Sequence, residues 1–209
     1  AEILETEAPE PTDDIATIIG ESSQRLLRTL NSVLDLSKLE AGAVQLTPEH
    51  IDVAERTNAS TRIFNSRANE SGIDLSTRFP EEPAYANLDE SALDRILDNL
   101  IGNALKFTPE GGEVHVAVDV NGSTVTITVD DTGIGIPDAF RESIFEPFLQ
   151  ASDDRDDKHP GTGLGLAITH RLVDMMDGQI TVASTVDEGT TFSVTFPRAR
   201  PPEPSQRQH

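Results

Sequence analysis

The sequence predicts an α+β fold, one sheet with helices on one face, preceded by a long amphipathic helix. Three observations carry this expectation. Residues 13–41 place an apolar side chain every three or four positions, the period of a helix with one buried stripe. Segments 114–120 and 124–129 alternate with period two around Asn121-Gly122, the dipeptide best suited to a two-residue hairpin turn. Along the rest of the chain, helical stretches are mixed with strands that read as antiparallel neighbours.

Taken in order, residues 1–14 contain Pro9, Pro11 and several acids and read as a helix end followed by a loop. Asp13 or Asp14 suits an N-cap, and Ile15, Ile19, Ser22, Leu26, Leu30, Val33 and Leu36 then form the stripe, widened by Leu27, Leu34 and Leu39. Gly42 ends it. Such a helix spans ~40 Å, and its stripe must be buried, either on its own domain or, as the length and spacing favour, against a partner helix. Val44–Ile51 reads as a strand, Val53–Asn69 as a helix, and Ile73–Phe79 as a second strand between Gly72 and Pro80. A helix opens at Asp89 or Glu90 and runs through Phe107, where Thr108-Pro109-Glu110-Gly111-Gly112 stops it. After the hairpin, Leu164–Met176 is helical up to Gly178, and Ile180–Ser184 with Thr191–Phe196 form a final hairpin. The Pro-rich end from residue 197 reads as a disordered tail.

The chain has 209 residues, with 37 acidic against 16 basic side chains and a formal charge of −21. This length suits one large domain, or a small domain with an appendage. The charge argues against nucleic acid or an anionic membrane as partner, since either would meet net repulsion. There is no cysteine, which excludes a disulfide scaffold, a thiolate zinc site and a cysteine nucleophile. No apolar run approaches the ~20 residues of a membrane span, and the start lacks the basic and apolar regions of a signal peptide. Ala1 is no natural initiator, so the sequence reads as a piece of something longer.

Three short motifs carry chemistry. On the helix over 89–107, Asn99, Asn103 and Lys106 fall within about 60° of one another, while Leu93, Leu97, Leu100 and Ala104 centre about a third of a turn away. Asn is a poor helix former. The polar face is either simply solvated, or its amide oxygens ligate Mg²⁺ while the ammonium meets phosphate. Asp130-Asp131-Thr132-Gly133-Ile134-Gly135-Ile136-Pro137 follows a strand directly. A carboxylate followed by two glycines lets backbone pass close to a flat ligand while the acid accepts from a ring amino group. A plain turn is the alternative, and the spacing does not fit an EF-hand calcium loop. Gly161-Thr162-Gly163-Leu164-Gly165-Leu166 opens a helix, where backbone N–H groups can cradle phosphate. Neither a dinucleotide fingerprint nor a Walker lysine is present.

In this order, the motifs resemble those of the catalytic, ATP-binding domain of sensor histidine protein kinases, members of the GHKL ATPase superfamily. The resemblance runs from Asp13 to Pro197. Asn99-Leu-Ile-Gly-Asn103-Ala-Leu-Lys106 resembles the N box, and Asp131-Thr-Gly-Ile-Gly135 the G1 box. Phe145-Glu-Pro-Phe148 resembles the F box, and Gly161-Thr-Gly-Leu-Gly165 the G2 box. The F box is the discriminating element. The resemblance implies a two-layer α/β sandwich with Mg²⁺ on Asn103, assisted by Asn99, and phosphates on Lys106. It implies that Asp131 binds the adenine amino group, with Gly133, Gly135 and Ile136 beside the base and Thr190 near it. The amides of Gly161, Thr162, Gly163, Leu164, Gly165 and Leu166 would hold the triphosphate. Residues 149–160, with Lys158, would form a lid next to Phe145 and Phe148.

The implied organisation is residues 1–46 as the end of a dimerisation hairpin without its H box, 47–198 as the ATP-binding domain, and 199–209 as tail. Hydrolytic relatives place a Glu where this chain has Asn99, and a neutral amide cannot serve as general base. The implied reaction is therefore transfer of the ATP γ-phosphoryl to a histidine, then to a response-regulator receiver domain. None of His50, His115, His159, His170 and His209 has H-box surroundings, so the acceptor is expected upstream of Ala1. A homodimer through the hairpin and a cytoplasmic location follow from the same resemblance.

Overall fold

The computed structural model describes residues 11–149 and 162–201. Ala1–Leu4, most of the expected lid including Lys158, Gly161 and the end of the tail lie outside the described residues. The elements are α1 (Pro11–Glu40), β1 (Glu49–Asp52), α2 (Val53–Ile63), α3 (Asn65–Glu70), β2 (Asp74–Arg78), β3 (Tyr85–Leu88) and α4 (Glu90–Phe107). They continue as β4 (Glu113–Asn121), β5 (Thr124–Asp131), α5 (Asp138–Arg141), α6 (Gly165–Met175), β6 (Gln179–Thr185) and β7 (Gly189–Pro197).

Five strands form one sheet in the order β2-β4-β5-β7-β6, antiparallel except for the β2–β4 pair. Parallel neighbours need a crossover, and α4 lies within the segment joining β2 to β4. The expected β4–β5 hairpin forms, but its two-residue loop is Gly122-Ser123, one position later than expected, because Asn121 pairs with Thr124; Gly122 has φ +57°. Helices α2, α4 and α6 form the second layer, which is the two-layer arrangement expected from the motifs.

Alternation sorts the sheet into rows. Inward-facing Val116, Val118 and Val120 of β4 lie in line with Val129, Ile127 and Val125 of β5 and Phe192, Val194 and Phe196 of β7, all buried except half-buried Val120. From the helix layer, Leu93, Ile96, Leu97, Leu100 and Ile101 of α4 meet Ile168, Leu172 and Val173 of α6 over these rows. Each such side chain contributes about 1.5–3 kcal/mol by burial. The outer face is polar, with Thr126 Oγ1 2.9 Å from Thr195 Oγ1 and an Arg78–Asp119 ion pair at 2.6 Å.

Three local expectations are corrected. The strand expected over 44–51 shrinks to Glu49–Asp52, paired antiparallel with β3, a strand that local pattern does not signal. The helix expected over 53–69 breaks at Phe64, which turns its ring towards the core while Ile63 remains 76% exposed. One continuous helix would carry the two on adjacent faces. The tail expected from residue 197 starts later, since Pro197 closes β7 and the Ala199 N–H donates to the Tyr85 carbonyl at 2.7 Å; a short helix, α5, also follows the glycine loop.

The end of α1 docks on the domain. Leu36 and Leu39 are buried, and Asp35 accepts from Arg95 at 2.7 Å. Farther up the helix, Leu26, Leu27, Leu30 and Leu34 are exposed. The connection to α4 is tied at Asp89, which accepts the Thr47 N–H at 2.9 Å, the Ser91 hydroxyl at 2.7 Å and the Ala92 N–H at 2.9 Å. Led by the Thr47 N–H, these bonds hold its pKa at about 2 against the opposing effect of burial.

Candidate nucleotide site

The site is assembled where α4, the end of β5 and the start of α6 meet. Asn99, Asn103 and Lys106 are half-buried on α4, and the Lys106 Nζ lies 4.7 Å from the Phe107 ring centroid. The Phe107 carbonyl accepts the Ile134 N–H at 3.2 Å, fastening the end of α4 to the glycine loop after β5. A Cβ on Gly133 would run into this same carbonyl, so the close approach requires glycine.

Asp131 ends β5 facing inward and is 8% exposed. One carboxylate oxygen accepts the Gly133 N–H at 2.9 Å. Burial raises its pKa to about 6, outweighing the Gly133 and Thr190 N–H bonds that act in the opposite direction, and neighbouring Asp130 adds to the rise. Strongly perturbed carboxyls cluster at functional sites. Thr190 is its register partner on β7.

Gly165 opens α6 directly against Asn99, so that any Cβ there would overlap the Asn99 Oδ1. Asn99 Nδ2 donates to Thr169 Oγ1 at 2.9 Å, one turn along α6, and Asn103 Nδ2 approaches Asn99 Oδ1 at 3.5 Å. The N box and G2 box thus share one seam. At the start of α6, the Thr162 hydroxyl accepts the Leu164 N–H at 3.3 Å. The Leu164 side chain is fully buried, so only its backbone can face a ligand. The Phe148 N–H donates to the Gly163 carbonyl at 2.9 Å, joining the F box to the G2 box. Phe148 adopts φ +66°, uncommon for a bulky residue, and is exposed. Phe145 instead packs inward, 5.1 Å from the His170 ring and 6.5 Å from Phe192.

The structure therefore brings Asn99, Asn103, Lys106, Asp131, Gly133, Gly135, Ile136, Thr190 and residues 162–166 to one end of the sheet. Phe145 and Phe148 flank that end, while Lys158 and Gly161 lie outside the described residues. Sequence reasoning missed Thr169, Ser184 and Phe107. Only Phe107 carried a local signal, an aromatic beside the expected phosphate lysine. Among the described residues no cluster of three or more His, Cys, Asp or Glu could hold a metal. An Mg²⁺ ion bound through one or two protein oxygens and substrate phosphates needs no such cluster.

Residues 88–200 match the family described as histidine kinase-, DNA gyrase B- and HSP90-like ATPases, and the chain belongs to that family. Within it, the similarity is to histidine kinases of two-component systems. An uncharacterized sensor-like histidine kinase of Rhizobium meliloti (strain 1021) is 38% identical over 184 residues, covering 88% of this chain and 35% of that protein. Histidine protein kinase DivJ of Caulobacter vibrioides is 35% identical, covering 88% of this chain and 31% of its own length. The crystal structure of full-length ShkA in complex with AMPPNP superposes with a TM-score of 0.78 at 33% identity, covering 95% of this chain and 41% of that one. This chain thus spans about a third of the curated relatives named here. Fold and motifs are those of the catalytic, ATP-binding domain of a sensor histidine kinase. No helix among the described residues is long and apolar enough to cross a membrane.

Proposed function

We propose that this chain is the ATP-binding catalytic core of a two-component sensor kinase, which passes the ATP γ-phosphoryl to a histidine outside this sequence. The observation that carries the reading is the α4–α6 seam, where Asn99 meets Gly165 and Thr169 at the glycine-rich helix start and Asn103 approaches Asn99 from the next turn of α4. Asp131 receives the adenine amino group, and Phe107 lies against the base or ribose. Asn103 offers Mg²⁺ its amide oxygen, with Asn99 assisting from the same seam. The bound Mg²⁺ would offset charge on the phosphate oxygens. Lys106 and the amides of residues 162–166 hold the phosphates in line with the incoming imidazole nitrogen. Residue 99, a neutral amide engaged with Thr169, is no general base for water, which supports transfer over hydrolysis.

The three described histidines are placed for other work. His115 meets Ser76 at 3.0 Å, His170 stacks on Phe145, and His50 lies on the two-stranded ribbon. The exposed Leu26, Leu27, Leu30 and Leu34 support a role for residues 1–46 in a helical hairpin that dimerises, with 47–198 as the ATP-binding domain and 199–209 as tail. A receiver-domain aspartate then takes the phosphoryl group, and the domain works in the cytoplasm.

Radiolabelled ATP tests this. The chain alone should remain unlabelled, and an N-terminally extended chain carrying the first hairpin helix should label on a histidine. Label on one of the five histidines here would overturn the assignment. An extended chain that binds Mg-ATP without labelling would mark a nucleotide-gated interaction module instead.

Nucleotide affinity should also depend on pH. Above the raised pKa of about 6, Asp131 is ionised and accepts from the amino group; as pH falls through that value, a proton occupies the acceptor. Titration calorimetry should show ATP affinity falling between about pH 7 and 5. An Asp131→Asn chain should lose that dependence along with most of its affinity.

A further inference from the structure

Across the inner face of the sheet every register row of β5, β7 and β6 is apolar except the last. Val129, Phe192 and Val182 form one row, and Ile127, Val194 and Ile180 the next. The final row reads Asp131, Thr190, Ser184. The first member is assigned above to the base. Nothing so far explains the third.

Ser184 has three polar neighbours. Its Oγ accepts the Ile136 N–H at 2.8 Å, lies 2.8 Å from the Gly189 carbonyl, and lies 3.0 Å from Thr190 Oγ1. A hydroxyl has one proton and two lone pairs. The Ile136 amide can only donate and the Gly189 carbonyl can only accept. Ser184 therefore gives its proton to Gly189, takes Ile136 on one lone pair, and has one lone pair left. All three contacts are satisfied only if Thr190 gives its own proton to Ser184. Thr190 is 6% exposed, where leaving a polar group without a partner is costly, so this arrangement dominates.

The consequence is a matter of polarity. With its proton committed to Ser184, Thr190 has only lone pairs for any other partner, and ionised Asp131 beside it is likewise an acceptor. Such a row suits an exocyclic amino group and opposes a carbonyl oxygen. We propose that Ser184 is a specificity-determining positioning residue: by fixing the direction of the Thr190 hydroxyl, it makes the site select a 6-aminopurine over a 6-oxopurine nucleotide. This rests on the reading that the Asp131 end of the sheet holds the base. Ser184 acts through Thr190 and through the Ile136 amide that shapes the glycine loop. With the serine hydroxyl gone, Thr190 can rotate and donate to a 6-oxo group.

The test uses the whole chain with Mg²⁺, measuring displacement of a fluorescent ATP analogue by ATP and by inosine triphosphate, which carries oxygen at position 6. The unsubstituted chain should favour ATP strongly. Ser184→Ala should narrow the ATP-to-inosine-triphosphate ratio by about tenfold, and Ser184→Thr, which keeps the hydroxyl, should restore it. Thr190→Val should narrow the ratio too, and adding Ser184→Ala to it should narrow the ratio no further, since the choice between the two bases runs through that hydroxyl while the Ile136 contact affects both nucleotides alike. This second pair decides the matter even if Ser184→Ala alone melts early. Equal weakening of both nucleotides, or additive effects in the double variant, would overturn the assignment and leave Ser184 a plain support of the loop. Failure of the unsubstituted chain to bind ATP would instead overturn the base-site reading beneath it.

Discussion

Asn103→Ala is expected to lower Mg-ATP affinity on the order of a hundredfold while barely moving the melting temperature. The side chain is half-buried on α4, and the contact recorded for its amide nitrogen is the long 3.5 Å approach to Asn99. Packing loses little when it is trimmed. On the proposed binding mode, what goes is a neutral oxygen beside the phosphates, in a chain whose formal charge of −21 already disfavours an anionic ligand. Calorimetric titration with and without Mg²⁺ is the measurement. The unsubstituted chain should lose affinity when EDTA is added, falling towards the level of the variant, and the variant should respond little to the metal. An Asn103→Ala chain with undiminished Mg²⁺ dependence would remove this residue from the metal's surroundings. Asn103→Asp, which retains an oxygen but adds charge near phosphate, should fall between the two.

Gly165→Ala should damage both stability and binding, and Gly102→Ala, on α4 nearby, should do neither. A Cβ on Gly165 would occupy the position of the Asn99 Oδ1, so either Asn99 or the start of α6 must move. Overpacking of this kind costs about 1–3 kcal/mol, and the displaced groups are those that form the site. At Gly102 the nearest neighbour of a Cβ is Phe64 Cε1 at 3.9 Å, an ordinary contact. There the substitution removes backbone freedom from the unfolded chain and should stabilise by about 0.5–1 kcal/mol. Thermal melts of the two variants, followed by nucleotide titration, make the comparison. If Gly165→Ala melts and binds like the unsubstituted chain, the α4–α6 seam is not what holds the phosphate end of the site.

Much of the fold was legible where local pattern and burial agree. The helix over 90–107 has a wide apolar stripe that meets the sheet, and the hairpin expected around Asn121-Gly122 forms with its loop one residue later, at Gly122-Ser123. The ribbon of β1 and β3 was not. Tyr85–Leu88 is four residues long and follows Glu81-Glu82-Pro83, and it becomes a strand only because Glu49–Asp52 lies beside it. The break at Phe64 was also hidden, because it answers to the space beside Gly102 on another helix.

The candidate site divides along the same line. Glycines and acids at fixed spacing can be read from the chain, since a close backbone approach demands glycine whatever the neighbours are. Thr169 in a helix and Ser184 near a strand end have no such signature. Each matters through partners supplied by other elements: Asn99 is 70 positions from Thr169, and the Ile136 amide 48 from Ser184. The sequence by itself determined most of the larger elements, the order of the motifs and the chemical types the site could use. Only the tertiary structure decided that Asn99 leans on Thr169, that Ser184 directs Thr190, and that Asp131 keeps its proton to about pH 6. The reason is physical. Hydrogen-bond partnership and desolvation belong to the space around a group, and that space is built by residues distant in the chain.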